Sequence, residues 1–185
     1  PYSNKVIYLF LGGFIVAFAM QRWNLHRRIA LNVLQVVGGN GRSLVGGFMV
    51  ASAVISMWVM NTSTTMMLLP IAVSIIGVIH SSVASLTEKG KRDFQYALLL
   101  GIAYSATIGG MTTLVGTVPN ALMAAFMLDT YGNEIDFARW MLVGIPLAAV
   151  MLPLSWLVLT RIVFKVDFVT SGEARAELRR MKEEM

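Results

Sequence analysis

The stretch Met60-Asn61-Thr62-Ser63-Thr64-Thr65 is a polar island inside Ser43–Ile79, a run of 37 mostly apolar residues without Asp, Glu, Lys or Arg. In hydrocarbon an unpaired polar group costs several kcal/mol, so such a cluster at membrane depth favours a functional site. Because apolar sequence flanks the island on both sides, we expect it to form the tip of a helical hairpin.

The composition indicates that the chain as a whole is suited to a membrane. Of its 185 residues, 56% are hydrophobic and 14% charged. Soluble domains carry about 25% charged residues, so the sequence predicts an all-α integral membrane protein. The blocks without charged residues are Val6–Gln21, Ser43–Ile79, Phe94–Leu128 and Trp140–Thr160. A span needs about 20 apolar residues, so the last three blocks are long enough and the first is marginal.

The charged residues predict which side of the membrane each loop occupies. Basic residues cluster in three loops, Arg22–Arg42, Lys89–Arg92 and Arg161–Lys182, whereas the connection Asp129–Arg139 contains three acids and one Arg. The positive-inside rule places the basic loops in the cytoplasm and the acidic loop outside. The net charge of +5 thus belongs to loops beside membrane segments, and we expect no nucleic-acid partner.

Ser43–Ile79 then begins and ends in the cytoplasm, which leaves two arrangements open. Two full crossings allow about 18 residues each and place the polar island in an outside turn. A re-entrant hairpin places the island near the membrane midplane, and two shorter half-helices fit it more comfortably. We favour the re-entrant hairpin.

A second irregular stretch lies within Phe94–Leu128, which must cross once although its 35 residues exceed one span. Its centre, Gly109–Asn120, contains three Gly, three Thr and a Pro, which break helices. We predict a helix from about Phe94 to Ile108, an unwound loop, and a second half-helix from about Pro119. Irregular backbone at that depth is tolerated only inside protein or along a wet cavity.

These observations divide the chain into five segments. They are a first membrane helix with a cytoplasmic amphipathic helix (1–42), the re-entrant hairpin (43–79), a cytoplasmic loop with the broken helix (80–128), an outside loop with the last membrane helix (129–165), and a cytoplasmic linker helix (166–185).

Two broken helices create partial charges that suit ions. The half-helix beginning near Thr62 presents free N–H groups to an anion, and the one ending near Val59 presents carbonyls to a hard cation such as Na⁺. The second break repeats this, with carbonyls from Thr107 to Gly110 and donors from the helix opened by Pro119. Secondary transporters bind a coupling ion and an anion side by side in this way.

No catalytic set competes with the transport reading. The histidines, His26 and His80, lie in a cytoplasmic loop and at a membrane edge, and the uncharged blocks contain no acid for intramembrane proteolysis. We therefore expect no enzyme activity, and no cofactor other than Na⁺ as coupling ion.

Three motifs, in order and correctly spaced, resemble the divalent anion:sodium symporter family, whose members carry dicarboxylates, citrate or sulfate. They are Leu25–Ala30 (LHRRIA), Ser56–Ile71 (SMWVMNTSTTMMLLPI) and Gly101–Asn120, which opens GIAYS and closes GTVPN. The resemblance spans roughly Leu25 to Phe164 and implies a re-entrant hairpin, an unwound loop that completes a sodium site, and a homodimer with elevator-like motion in the plasma (bacterial inner) membrane.

The resemblance also implies the site residues. Sodium ligands would be Ser56, Met60, Asn61 and Gly116, and substrate contacts would come from Asn61, Thr62 and Thr117. Met60 departs from the family, which has Ser there, so either a backbone carbonyl replaces the hydroxyl or the sodium site is altered. Val118 stands where the family usually has the first Pro of the loop.

The family has two inverted repeats, whereas this sequence has one hairpin and one broken helix. We therefore expect the N-terminal half of a sodium-coupled symporter, completed by a C-terminal repeat. The alternative is a non-transporting membrane subunit or a single-repeat protein that assembles as an antiparallel dimer, although the clear charge bias speaks against dual insertion.

Overall fold

A computed structural model describes residues 40–82 and 86–168, together with residues 8, 11–13, 15, 18, 19, 22 and 23. Within these residues the elements are helices and loops without a β-strand, which confirms the all-α prediction. The helices are α1 (Gly41–Ser56), α2 (Asn61–Ser82), α3 (Glu88–Gly110), α4 (Val118–Tyr131) and α5 (Phe137–Leu157), which continues as a π-helical turn (Val158–Val163).

Two helices in the described ranges are long and apolar enough to cross a membrane: α2, and α5 together with its π-helical turn. Helix α1 is apolar but shorter, with 16 residues or about 24 Å. Most of the predicted first membrane helix, the amphipathic helix and the linker helix lie outside the described residues.

The hairpin α1–α2 turns within Met57–Met60. Backbone bonds from Met57 N to Ala53 O (3.1 Å) and from Val59 N to Ile55 O (3.0 Å) close the end of α1. Helix α2 opens with Thr64 N donating to Met60 O at 3.0 Å. The polar island therefore begins at Met60, the last residue of the hairpin turn, and continues as Asn61–Thr65 into the first helical turn of α2.

The second break lies between α3 and α4, where residues 111–117 are not helical, as predicted. Helix α3 begins six residues before the predicted Phe94, because the Thr87 side chain caps it by accepting from Gly90 N at 3.2 Å. Helix α4 begins at Val118, so Pro119 is its second residue and not its first. Either position is tolerated, since N–H groups of the first turn lack intrahelical acceptors.

Helices α1 and α3 pack backbone to backbone. Gly109 lies so close to Ala53 that an added Cβ would be 2.6 Å from the Ala53 Cα, and Gly101 lies against Met49. The buried Ser52 Oγ donates to Ile102 O (2.9 Å) across the same interface. This close approach brings the end of α1 to the end of α3, and so brings the two breaks together.

At the opposite end of α1, hydrogen bonds join its first residues to the end of α5 and the segment that follows. Gly41 N donates to Phe168 O (3.0 Å), Arg42 Nε to Val166 O (2.9 Å), and Trp156 Nε1 to Arg42 O (2.9 Å). We call this arrangement of Gly41, Arg42, Trp156, Val166 and Phe168 the base clasp. It holds the end of α1 that is remote from the breaks.

Candidate functional site

The two breaks meet at a cluster of oxygen atoms. Ser56 Oγ at the end of α1 donates to Asn61 Oδ1 at the start of α2 across 2.7 Å. Gly116, in the loop after α3, is packed so closely that an added Cβ would lie 2.9 Å from Ser56 O. The structure thus brings together three of the four predicted sodium ligands, Ser56, Asn61 and Gly116, from separate elements.

Gly110 lies directly against this cluster. A Cβ at this position would meet the Asn61 amide oxygen, and would lie 2.8 Å from Thr117 Cγ2. A side chain there would displace both predicted ligands, Asn61 and Thr117. The glycine is therefore required for close approach and not for an unusual backbone angle.

The other predicted site residues are more exposed. Met60 is 44% exposed at the tip, Thr62 is exposed in the first turn of α2, and Thr117 is half-buried directly before α4. Thr62 and Thr117 belong to the N-terminal ends of two helices, where free N–H groups and the positive end of the helix dipole favour an anion.

Two further hydroxyls of the polar island are bonded within their own helical neighbourhood. Thr65 Oγ1 donates to Asn61 O (3.0 Å) and Thr62 O (2.9 Å), and the buried Thr64 Oγ1 donates to Val59 O at 3.4 Å. These contacts stabilise the start of α2. The predicted ligands of the island are Met60, Asn61 and Thr62.

The carbonyls at the end of α3 are engaged by donors of the same chain, contrary to the expectation that they would be free. Thr107 O accepts from Met111 N (3.2 Å), and Gly109 O accepts from the Thr112 amide (3.0 Å) and hydroxyl (2.6 Å). Gly110 O accepts from Asn120 Nδ2 at 2.9 Å. These three carbonyls therefore serve donors of the chain itself, and Gly116 remains the predicted cation ligand of this break.

Sequence reasoning missed two residues that shape the loop, Thr113 and Asn120. The Asn120 amide donates to both Gly110 O (2.9 Å) and Thr113 O (2.7 Å), closing the loop across its width. The Thr113 hydroxyl donates to Met57 O (2.5 Å) and accepts from Gly116 N (3.0 Å). Asn120 belongs to the GTVPN motif, which was a usable signal, whereas Thr113 had none beyond its low helix propensity.

Helix α5 packs against the loop between α3 and α4. Trp140 Nε1 donates to Met111 O at 2.9 Å, and Gly144 lies against the backbone of Thr112. The Trp58 ring of the hairpin tip lies 6.1 Å from the Phe137 ring at the start of α5. Both breaks therefore contact the same helix, α5, and these contacts restrain the position of one break relative to the other.

Comparison with known proteins identifies the family of the chain. A family model described as citrate transporter matches residues 1–181. The sodium-dependent dicarboxylate transporters SdcS of Staphylococcus aureus strains NCTC 8325 / PS 47, COL and N315 are each 42% identical over 167 residues, covering 90% of this chain. The chain spans only 32% of the length of these curated relatives.

The relatives are named for sodium dependence and dicarboxylate transport, so the resemblance that the three motifs predicted is confirmed. The family match covers nearly the whole chain, including both breaks and the helix that braces them. The chain therefore belongs to the citrate transporter family.

Proposed function

We propose that this chain forms one half of a sodium-coupled symporter for divalent anions, and that Na⁺ binds where the two breaks meet. The observation that carries the proposal is the 2.7 Å contact between Ser56 Oγ and Asn61 Oδ1, with Gly116 packed against Ser56. Hydroxyl, amide and carbonyl oxygens are ligands that hard cations prefer.

Sodium binding at this cluster requires a local rearrangement of protons. The Ser56 hydroxyl now donates to the Asn61 oxygen, and a cation between them would take lone pairs from both oxygens. The hydroxyl proton would then turn to another acceptor. Met60 would contribute its carbonyl, because a thioether is a poor ligand for Na⁺ and the side chain is 44% exposed.

The anion would bind beside the ion, at the N-terminal ends of α2 and α4. Helix α2 offers first-turn N–H groups, and α4, in which Pro119 has no N–H and Asn120 N donates to Thr117 O (3.3 Å), offers chiefly the positive end of its dipole. The hydroxyls of Thr62 and Thr117 lie at these helix ends. A sodium ion next to this position attracts the anion, so occupation of one site favours occupation of the other. This mutual attraction is the physical basis for symport, and dicarboxylate is the substrate named in the relatives.

The proposal includes the re-entrant hairpin, the homodimer and the elevator-type motion in the plasma (inner) membrane. For the re-entrant hairpin, the support is that α1 is about 24 Å long and thus shorter than a hydrocarbon core of about 30 Å. Helix α2, with 22 residues, is longer than the half-helix expected for such a hairpin. The hairpin depth can be tested with Ser63→Cys in the complete protein: a bulky impermeant maleimide added outside should leave it unlabelled. Rapid labelling from outside would support two full crossings.

The transport proposal is tested by uptake of labelled succinate into proteoliposomes that contain the complete protein. Uptake should saturate with succinate and depend on an inward Na⁺ gradient, with K⁺ as the matched control cation. Equal uptake in Na⁺ and K⁺ would refute sodium coupling, and competition by citrate or sulfate would define the anion class.

A further inference from the structure

We infer that Thr113 is a positioning residue that couples the hairpin tip to the sodium-binding loop. The inference rests on the proposed function, because it concerns the same ion site, but the geometry behind it is independent of substrate. No sequence motif assigned a role to this residue, and its side chain is fully buried, with 0% exposure.

One hydroxyl joins the two breaks. Thr113 Oγ1 accepts from Gly116 N at 3.0 Å within the loop and donates to Met57 O at 2.5 Å in the hairpin turn. Met57 directly follows Ser56, so both ends of this hydrogen-bonded chain adjoin proposed sodium ligands. The distance between Gly116 and Ser56 is therefore controlled by the Thr113 hydroxyl.

Because the Thr113 hydroxyl bonds to both breaks, its loss would affect both of them. Hydrogen bonds in series polarise one another, and a buried donor or acceptor that loses its partner is strongly disfavoured. Removing the hydroxyl would release the Gly116 amide and the Met57 carbonyl at once, and each would move to find another partner. The loop and the tip would then no longer present their oxygens at a fixed separation.

The neighbouring residue supplies a matched control. Thr112 is also fully buried in the loop, but its hydroxyl donates to Gly109 O at 2.6 Å, three residues back at the end of α3. Valine at either position keeps the side-chain shape and removes one hydroxyl. Only the Thr113 change breaks a connection between the loop and the hairpin.

The first experiment compares Thr113→Val, Thr113→Ser and Thr112→Val in the complete protein reconstituted in proteoliposomes. We expect Thr113→Val to raise the Na⁺ concentration for half-maximal succinate uptake about tenfold, with succinate KM at saturating Na⁺ changed less than about twofold. Thr113→Ser retains the hydroxyl and should restore the wild-type Na⁺ response. Thr112→Val should leave that response unchanged.

Equal shifts for Thr113→Val and Thr112→Val, or a Thr113→Ser response as poor as that of Thr113→Val, would overturn the inference. If Thr113→Val does not fold, Thr113→Cys weakens both hydrogen bonds and should give a smaller shift in the same direction. A Thr113→Cys response equal to wild type would likewise overturn it.

A second experiment separates this inference from the transport proposal. The chain contains no cysteine, so Met60→Cys provides a single reporter at the tip of this half, with any cysteines elsewhere replaced. Adding Thr113→Val should accelerate its maleimide labelling several-fold, whereas adding Thr112→Val should not. If Thr113→Val accelerates labelling but wild-type uptake does not depend on sodium, only the proposal of sodium-coupled transport is refuted. If the Thr113→Val and Thr112→Val backgrounds are labelled at equal rates, the role of Thr113 is refuted.

Discussion

Gly109→Ala tests whether the contact between α1 and α3 is as close as the structure shows. The new Cβ would lie 2.6 Å from both the Ala53 Cα and its carbonyl carbon, and closer still to the carbonyl oxygen. These are backbone atoms, so no side chain can turn away, and the two helices must separate. Overpacking of this kind costs about 1–3 kcal/mol.

Gly77→Ala is the matched control, because a Cβ at Gly77 in α2 would meet no atom within 4 Å. Alanine at an unobstructed helical position stabilises by up to about 1 kcal/mol relative to glycine. The two variants make the same chemical change in two helices of one chain, and they differ in what the methyl group meets.

The measurement is thermal unfolding of the purified complete protein in detergent. For about 150–250 residues, 1 kcal/mol corresponds to about 2–4 °C in Tm, and the shift is smaller in a longer protein, so Gly109→Ala should lower the Tm of the complete protein by no more than about 12 °C. Gly77→Ala should leave Tm unchanged or raise it slightly. Because Gly110 and the ion cluster follow directly, Gly109→Ala should also weaken stabilisation by Na⁺. Equal Tm values for the two variants would refute the packing argument.

Three further predictions concern the ion site. Asn61→Ala removes the oxygen that accepts from Ser56 and should raise the half-maximal Na⁺ concentration about tenfold or more, whereas Thr65→Val, which loses bonds within its own helix, should change it less than about twofold. Met60→Ser supplies a hydroxyl at the tip but keeps the backbone carbonyl that we propose as the ligand, so that concentration should change less than about twofold; a large decrease would show that the carbonyl does not provide the ligand. The stabilisation of the protein by Na⁺ in thermal unfolding should be constant from about pH 6 to about pH 8, because hydroxyl, amide and carbonyl ligands do not titrate there, and a steep pH dependence would reveal an ionisable ligand.

Much of the architecture follows from local sequence signals. The helix break between Gly110 and Val118 was predictable because Gly, Thr and Pro disfavour helix in any context. The polar island predicted a hairpin at about the right place, but the turn itself lies at Met57–Met60, and Asn61–Thr65 already belong to α2. The start of α3 was misplaced by the weight given to charged residues, since the Thr87 cap extends the helix through them to Glu88.

The contacts inside the site could not be predicted, because they join residues distant in sequence. The bond from Thr113 to Met57 spans 56 positions, and the approach of Gly116 to Ser56 spans 60, the difference between 116 and 56. Nothing local distinguishes Thr113 from Thr112, yet the Thr113 hydroxyl bonds to the hairpin turn and the Thr112 hydroxyl bonds to the end of the preceding helix α3. Propensity determines where a chain breaks, whereas tertiary packing determines what the broken ends touch.

The base clasp has a mechanical consequence. Gly41, near the start of the described range 40–82, is hydrogen-bonded to Phe168, at the end of the range 86–168, at 3.0 Å. The neighbouring Arg42 and Asp167 form an ion pair at 3.3 Å. If the segments before Gly41 and after Phe168 were pulled apart, the force would therefore act first on these few contacts. The helices between them would then be spared that force, and the cluster of Ser56, Asn61 and Gly116 at the far end of α1 would keep its geometry.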